Sequence, residues 1–179
     1  METQTGDIHS EALNHFANPK NFGPMDDADG IGTGLDNATQ NYATIYLKME
    51  GETIEKISYV ARGSEDIVIL GSVFTEMVIG DTLDNAWKRV DELQKELDAA
   101  YDSIEPPEID LTKPEGEQVS AVSTQSQDGA NMVLTAFRAA VRHMERKKEG
   151  IEEESFTMSI SKRCPYSNSD CAAMAHVQG

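Results

Sequence analysis

Between Tyr42 and Tyr101 the hydrophobic pattern changes period, and that change restricts the chain to a mixed fold. Over Tyr42–Met49, the residues Tyr42, Thr44, Tyr46 and Lys48 alternate with Ala43, Ile45, Leu47 and Met49, as in a strand with one buried face. A second strand-like run covers Thr53–Ala61, and Glu50-Gly51-Glu52 between the two is a hairpin turn. The period then lengthens. Ile67–Ile79 reads as a mostly buried helix closed by Gly80. From Asp81-Thr82 onward, Leu83, Trp87, Val90, Leu93, Leu97 and Tyr101 recur at spacings of three and four, which is one face of an amphipathic helix. A hairpin followed by helices predicts an α+β domain, a small antiparallel β-sheet covered on one face by helices.

The flanking segments fit that plan. Ile8, Ala12, Leu13 and Phe16 share a helical face that ends at Asn18-Pro19, and a loop rich in Gly, Asp and Pro is expected from Asn21 to about Asn41. Residues 102–127, with Pro106-Pro107, Pro114 and Gly116, read as a long loop or insert. A last long helix over about 127–148 turns Met132, Val133, Ala136, Phe137, Ala140, Val141 and Met144 inward. Its C-terminal Arg142, Arg146, Lys147 and Lys148 offset the helix dipole. Phe156–Ser161 alternates like a short strand. The expected organisation is one domain over residues 1–149 and a C-terminal extension over 150–179.

Charge narrows the function. The 179 residues carry 15 Lys+Arg against 32 Asp+Glu, a net charge of −17, which argues against a nucleic-acid partner. At 39% hydrophobic, roughly 70 residues are available for a core. No apolar run approaches ~18 residues, so no membrane span is expected. The start, Met1-Glu-Thr-Gln-Thr-Gly-Asp, has neither a basic nor an apolar leader region, and a cytoplasmic location is expected. Nor is an enzyme expected. No nucleophile–base pair or paired general acid and base stands out, and Gly30-Ile-Gly-Thr-Gly34 lacks the strand-then-helix setting of a phosphate loop.

The stretch His15-Phe-Ala-Asn-Pro-Lys-Asn-Phe-Gly23, followed by Gly32-Thr-Gly34, resembles the opening of the IscU/NifU N-terminal family of iron–sulfur cluster scaffolds. The similarity continues through Gly80-Asp-Thr82 and Ala136-Phe-Arg-Ala-Ala140, covering about residues 8–145. It implies a scaffold-like or accessory protein of iron–sulfur cluster assembly. The implied cargo is an iron–sulfur cluster or iron, and the implied partners are a cysteine desulfurase or iron–sulfur client proteins. In that family three cysteines, an aspartate and a histidine form the assembly site, because ferrous iron and sulfide favour ionised thiolates. Counted along the match, the first cysteine falls at Asn41, the aspartate at Ala43 and the second cysteine at Ser64. The histidine and third cysteine fall at Asp128 and Gly129. Every thiolate is missing. The family's L-P-P-V-K segment also has no counterpart, since Glu105-Pro-Pro-Glu108 shares only the prolines.

Bland readings stand beside these. Asp128, Glu65 and Asp66 read as solvated or helix-capping acids, Asp66 as an N-terminal cap, before they read as ligands of a hard cation. His15 reads as a helix-end residue packed near the Asn-Pro turn. The chain's two cysteines, Cys164 and Cys171, lie in Arg163-Cys-Pro-Tyr-Ser-Asn-Ser-Asp-Cys171, with His176 five residues further on. They read either as an unstructured tail with reduced thiols or an adventitious disulfide, or, with His176, as ligands of a metal or cluster or as sulfur-handling thiols, with Lys162 and Arg163 favouring the Cys164 thiolate. Two functions follow: a scaffold whose tail thiols replace the lost site, or a metal-free binding or regulatory module of the same fold that interacts with a desulfurase or client.

Overall fold

A computed structural model describes residues 4–104 and 124–160, with side chains from Ser10 onward. In chain order the elements are α1 (Gln4–Ala17), β1 (Gly30–Asp36), β2 (Asn41–Glu50), β3 (Thr53–Arg62), α2 (Glu65–Val78), α3 (Leu83–Asp102), α4 (Gln125–Lys148) and β4 (Phe156–Ser159). The four strands form one sheet in the order β3-β2-β1-β4. The class is α+β, as the change of period requires.

The hairpin forms where the alternation places it. β2 and β3 pair antiparallel from Tyr42↔Arg62 to Glu50↔Thr53, with a register shift between Lys48 and Met49, and Gly51 at φ 62° makes the turn. Ala43, Ile45 and Leu47 of β2 are fully buried and, with Ile54, Ile57 and Tyr59 of β3, floor the core. Thr33 and Thr44, on adjacent strands, share a hydroxyl hydrogen bond of 2.8 Å.

β1 is the main departure. The segment expected to be loop from Asn21 to Asn41 contains a seven-residue strand, Gly30–Asp36, paired antiparallel with β2. Glycine is a poor strand former, so β propensity could not reveal it. The reason for the glycines is distance. Gly30, Gly32 and Gly34 face α4, opposite Leu47, Ile45 and Ala43 of β2. A Cβ on Gly32 would lie 1.9 Å from the Ala140 nitrogen, and one on Gly34 would lie 2.1 Å from the Met132 carbonyl oxygen. Ala136, Ala139 and Ala140 complete this contact of small residues and are fully buried. α4 therefore rests directly on the β1 backbone, a separation no side chain permits.

The other helices pack around α4. Phe74 of α2 and Trp87 of α3 both meet the Phe137 ring, at centroid distances of 5.4 and 6.3 Å. α3 begins where expected, and Thr82 caps it, accepting from the Asn85 N–H at 3.2 Å. The expected apolar face of α3 is only partly core: Ala86, Val90, Leu97 and Tyr101 are buried, whereas Trp87 is 37% exposed. The cap of α2 differs from expectation. Asp66 lies inside the first turn, and the N-cap is Ser64, whose side chain makes no capping hydrogen bond.

β4 pairs parallel with β1, from Gly32↔Phe156 to Leu35↔Ser159, so the sheet is antiparallel except at this edge. It lies beyond residue 149 and adds part of the expected extension to the sheet. Three side chains hold it. His143, fully buried on α4, accepts from the Ile31 N–H at Nδ1 (2.9 Å) and lies 2.9 Å from the Glu153 carbonyl at Nε2. With Nδ1 accepting, Nε2 carries the proton and donates to that carbonyl. The Arg146 guanidinium donates to both Glu153 carboxylate oxygens, its Nε at 2.8 Å, and lies 5.3 Å from the Phe156 ring centroid.

Two outcomes follow. Gly32→Ala should cost about 3 kcal/mol or more in urea denaturation because α4 must lift, while Thr33→Ala on the opposite face should cost about 1 kcal/mol. The Glu153 carboxyl is held below its ordinary 4.5, first by the Arg146 hydrogen bond and then by that residue's charge. A lowered carboxyl stabilises the fold above its unfolded value and loses that contribution as pH falls through the folded one. Amide protection in β4 should therefore decline as pH drops below about 4.5, and Glu153→Gln should flatten the dependence.

Candidate functional site

At the end of the sheet where β1 finishes and β2 begins, a cavity of about 690 Å³ opens. Its lining includes Asp36 and Thr39 from the β1–β2 turn, Asn41 from β2, Gly63 and Ser64 from the β3–α2 turn, and Thr124 and Asp128 from the start of α4. Three sequence-distant positions singled out above, Asn41, Ser64 and Asp128, thus share one cavity. The turns are in close contact: a Cβ on Gly63, which sits at φ 140°, would lie 2.8 Å from the Asn41 Cγ. Gly129 is buried beside α2, where a Cβ would come 3.3 Å from the Ile67 Cγ1. Ala43 does not reach the cavity. It is fully buried in the sheet floor, paired with Gly34 and Ala61.

Asp128 is not a solvated carboxylate, contrary to expectation. Asp128 is 7% exposed and accepts from the Tyr101 hydroxyl at 2.7 Å and the Thr124 hydroxyl at 2.8 Å. Burial, followed by the hydrogen bond to and charge of Asp128, pushes the Tyr101 phenol well above its ordinary value, so it stays a donor. Asp36, 3% exposed, accepts from the Ala38 N–H at 3.0 Å and the Thr39 hydroxyl at 2.8 Å and shapes the turn. Asp66 accepts from the Gln125 amide at 3.3 Å, and Glu65 is exposed.

Asp36 and Tyr101 went unnoticed as site residues in the sequence. Asp36 continues the every-second-residue series of Gly30, Gly32 and Gly34, so parity would have put it on the α4 side once β1 was known. Tyr101 looked like the last apolar position of α3. Only the fold shows that its hydroxyl meets Asp128.

The opening motif does structural work. The His15 Nδ1 and Ser72 Oγ share a 2.8 Å hydrogen bond, and that buried hydroxyl also accepts from the Lys20 N–H at 2.8 Å. Asn21, at φ 56°, places its carbonyl 2.9 Å from the Tyr59 N–H and donates its side-chain amide to Thr75 at 3.2 Å. The motif thus fastens the end of α1 to α2 and β3, in line with the packed, helix-end reading of His15.

Chemically the cavity offers an amide, hydroxyls and carboxylates that are already hydrogen-bonded. Among the described residues no group of three or more His, Cys, Asp or Glu side chains is placed to hold a metal ion. An iron–sulfur cluster needs soft thiolates, so these lining residues alone do not fit one. Cys164, Cys171 and His176 lie outside the described residues.

Residues 7–150 match the family described as the NifU-like N terminal domain. Over 78 residues the chain is 36% identical to the iron–sulfur cluster assembly scaffold protein IscU 1 of Archaeoglobus fulgidus, covering 44% of this chain and spanning 51% of that relative's length. It is 24% identical over 151 residues to the iron–sulfur cluster assembly scaffold protein IscU of Aquifex aeolicus, covering 83% of each. Among solved structures it superposes with TM-score 0.51 and 14% identity on a protein assigned as an iron–sulfur cluster assembly scaffold for the SUF system of Fervidobacterium islandicum. That match covers 75% of this chain and 93% of the other, a likeness of fold.

The buried contact between α3 and α4 is open to test. Tyr101→Phe removes a donor from a buried carboxylate and should cost about 1.5–3 kcal/mol in denaturant unfolding. Ser64→Ala, at a half-buried hydroxyl on the cavity wall, should stay within about 0.5 kcal/mol.

Proposed function

The chain belongs to the NifU-like N-terminal domain family, and from that premise we propose that it works in iron–sulfur cluster assembly as a scaffold-like or accessory protein. One observation carries the reading: the start of β2, the β3–α2 turn and the start of α4, far apart in sequence, bring Asn41, Ser64 and Asp128 to a single cavity at one end of the sheet. These are the positions at which the resemblance sets the family's first two cysteines and its histidine. The geometry of an assembly mouth is kept while its sulfur is gone. The role is one of holding and passing on cargo rather than of catalysis. Its partners are a cysteine desulfurase or iron–sulfur client proteins, and its setting is the cytoplasm.

The missing thiolates favour a second reading, a metal-free module of the same fold that binds a desulfurase or client at that rim. Loading separates the two. The full chain, incubated anaerobically with ferrous iron and sulfide and then desalted, should retain iron and show the visible charge-transfer absorption of a thiolate-bound centre. A desalted protein that is colourless and iron-free contradicts the scaffold reading and leaves the module.

A further inference from the structure

α2 is apolar on nearly every side. Ile67 and Val78 are fully buried, whereas Val73 and Met77, four apart on another face, are each 37% exposed in a helix expected to be mostly buried. A helix apolar all round is ordinarily enclosed, so this face lacks a cover among the described residues. It borders a groove of about 300 Å³. Leu70, Val73 and Met77 of α2 form one wall, at helical spacings of three and four. Leu93, Leu97 and Ala100 of α3 form the other, at spacings of four and three. Ala130 and Val133 of α4 supply the floor, because α2 and α3 both pack on that helix. Two facing stripes of helical period make a slot for a third helix whose apolar side chains recur at i, i+3, i+4 and i+7.

Charge selects the occupant. The one charged residue in the lining is Glu96. Glu92 stands one turn before it on α3, and neither has an ion pair among the described residues. α2 adds Glu76, 46% exposed and 3.8 Å from His15, and carries no Lys or Arg. Arg89 of α3 is held by Asp81 at 3.6 Å, and Arg138 of α4 by Asp91 at 3.6 Å and the Gln94 amide oxygen at 2.8 Å. Lys95, midway between Leu93 and Leu97, projects from the opposite side of α3. The chain's own segments do not suit an acidic rim. α1 of a second copy carries Asp7 and Glu11 without Lys or Arg, and two chains of net charge −17 repel. Residues 105–123 hold Glu105, Glu108, Asp110, Glu115 and Glu117 against Lys113 alone.

We propose that the α2–α3 groove docks a basic amphipathic helix of a partner protein, its apolar side chains in the slot and its Lys or Arg beside Glu76, Glu92 and Glu96. Burial of the apolar stripe supplies the affinity, and the unbranched Met77 side chain adapts to the anchors it meets. Charge pairing at the rim selects the partner. The groove shares no lining residue with the cavity at the end of the sheet, so docking is independent of what that cavity carries.

The test is fluorescence anisotropy on the full chain at low salt, with two labelled helical peptides. Both carry leucines at i, i+3, i+4 and i+7; one is flanked by lysines and the other by glutamates. The lysine peptide should bind about tenfold more tightly or better. Val73→Glu and Met77→Glu should each weaken it by about tenfold or more, although each adds negative charge. Met158→Glu, at an equally exposed methionine on β4, should change it by less than about twofold. In the unaltered chain, the peptide should shift the carbon-13 methyl resonance of Met77 and leave that of Met158 in place, a readout that needs no substitution. Binding that survives both groove substitutions, or that leaves the Met77 methyl unmoved, overturns the groove. Equal affinity for the two peptides overturns the basic partner, and no binding of either overturns docking. A dimer in sedimentation that Met77→Glu dissociates gives the groove to a second copy and overturns the proposal as well.

Discussion

The contact on which the rest depends is the bare backbone of β1 against α4. With hydrogen atoms at Gly30, Gly32 and Gly34 and methyl groups at Ala136, Ala139 and Ala140, helix and strand approach more closely than any larger side chains allow. Interiors are packed nearly as densely as crystals, so this spacing is not adjustable, and it fixes α4 along its length. At one end Asp128 is brought to the cavity that Asp36 and Thr39 also line. At the other, His143 reaches the Ile31 N–H and the Glu153 carbonyl and so decides where β4 joins. A single close approach thereby positions both the wall of the mouth and the strand that leads away from it.

Loss of sulfur at the mouth has not left a void of unpaired groups. Asp128 is satisfied by the Tyr101 and Thr124 hydroxyls, and Asp36 by its own turn. Hydrogen-bonded carboxylates are hard donors in exchange for soft ones, and they make this end of the sheet acidic.

Some of this was legible in the residues. The hairpin and the helices over 65–78, 83–102 and 125–148 follow from apolar spacing, because each buries one face against a single partner layer. β1 was hidden since its glycines answer to the distance of α4, a non-local requirement that resembles a loop when read locally. The parallel entry of β4 was hidden for a related reason: four alternating residues reveal a strand but not its direction, which His143 and Arg146 decide from another element. Asn41 and Ser64 could be placed by counting from nearby glycines. The burial of Asp128 could not, since it depends on Tyr101, 27 residues earlier and on another helix.

The most direct measurement is iron X-ray absorption on the full chain loaded anaerobically with ferrous iron alone, so that any sulfur around the metal comes from the protein. The account requires a sulfur shell in the unaltered chain, replaced by oxygen and nitrogen when Cys164 and Cys171 are both changed to serine. Iron surrounded only by oxygen and nitrogen in the unaltered chain would contradict it.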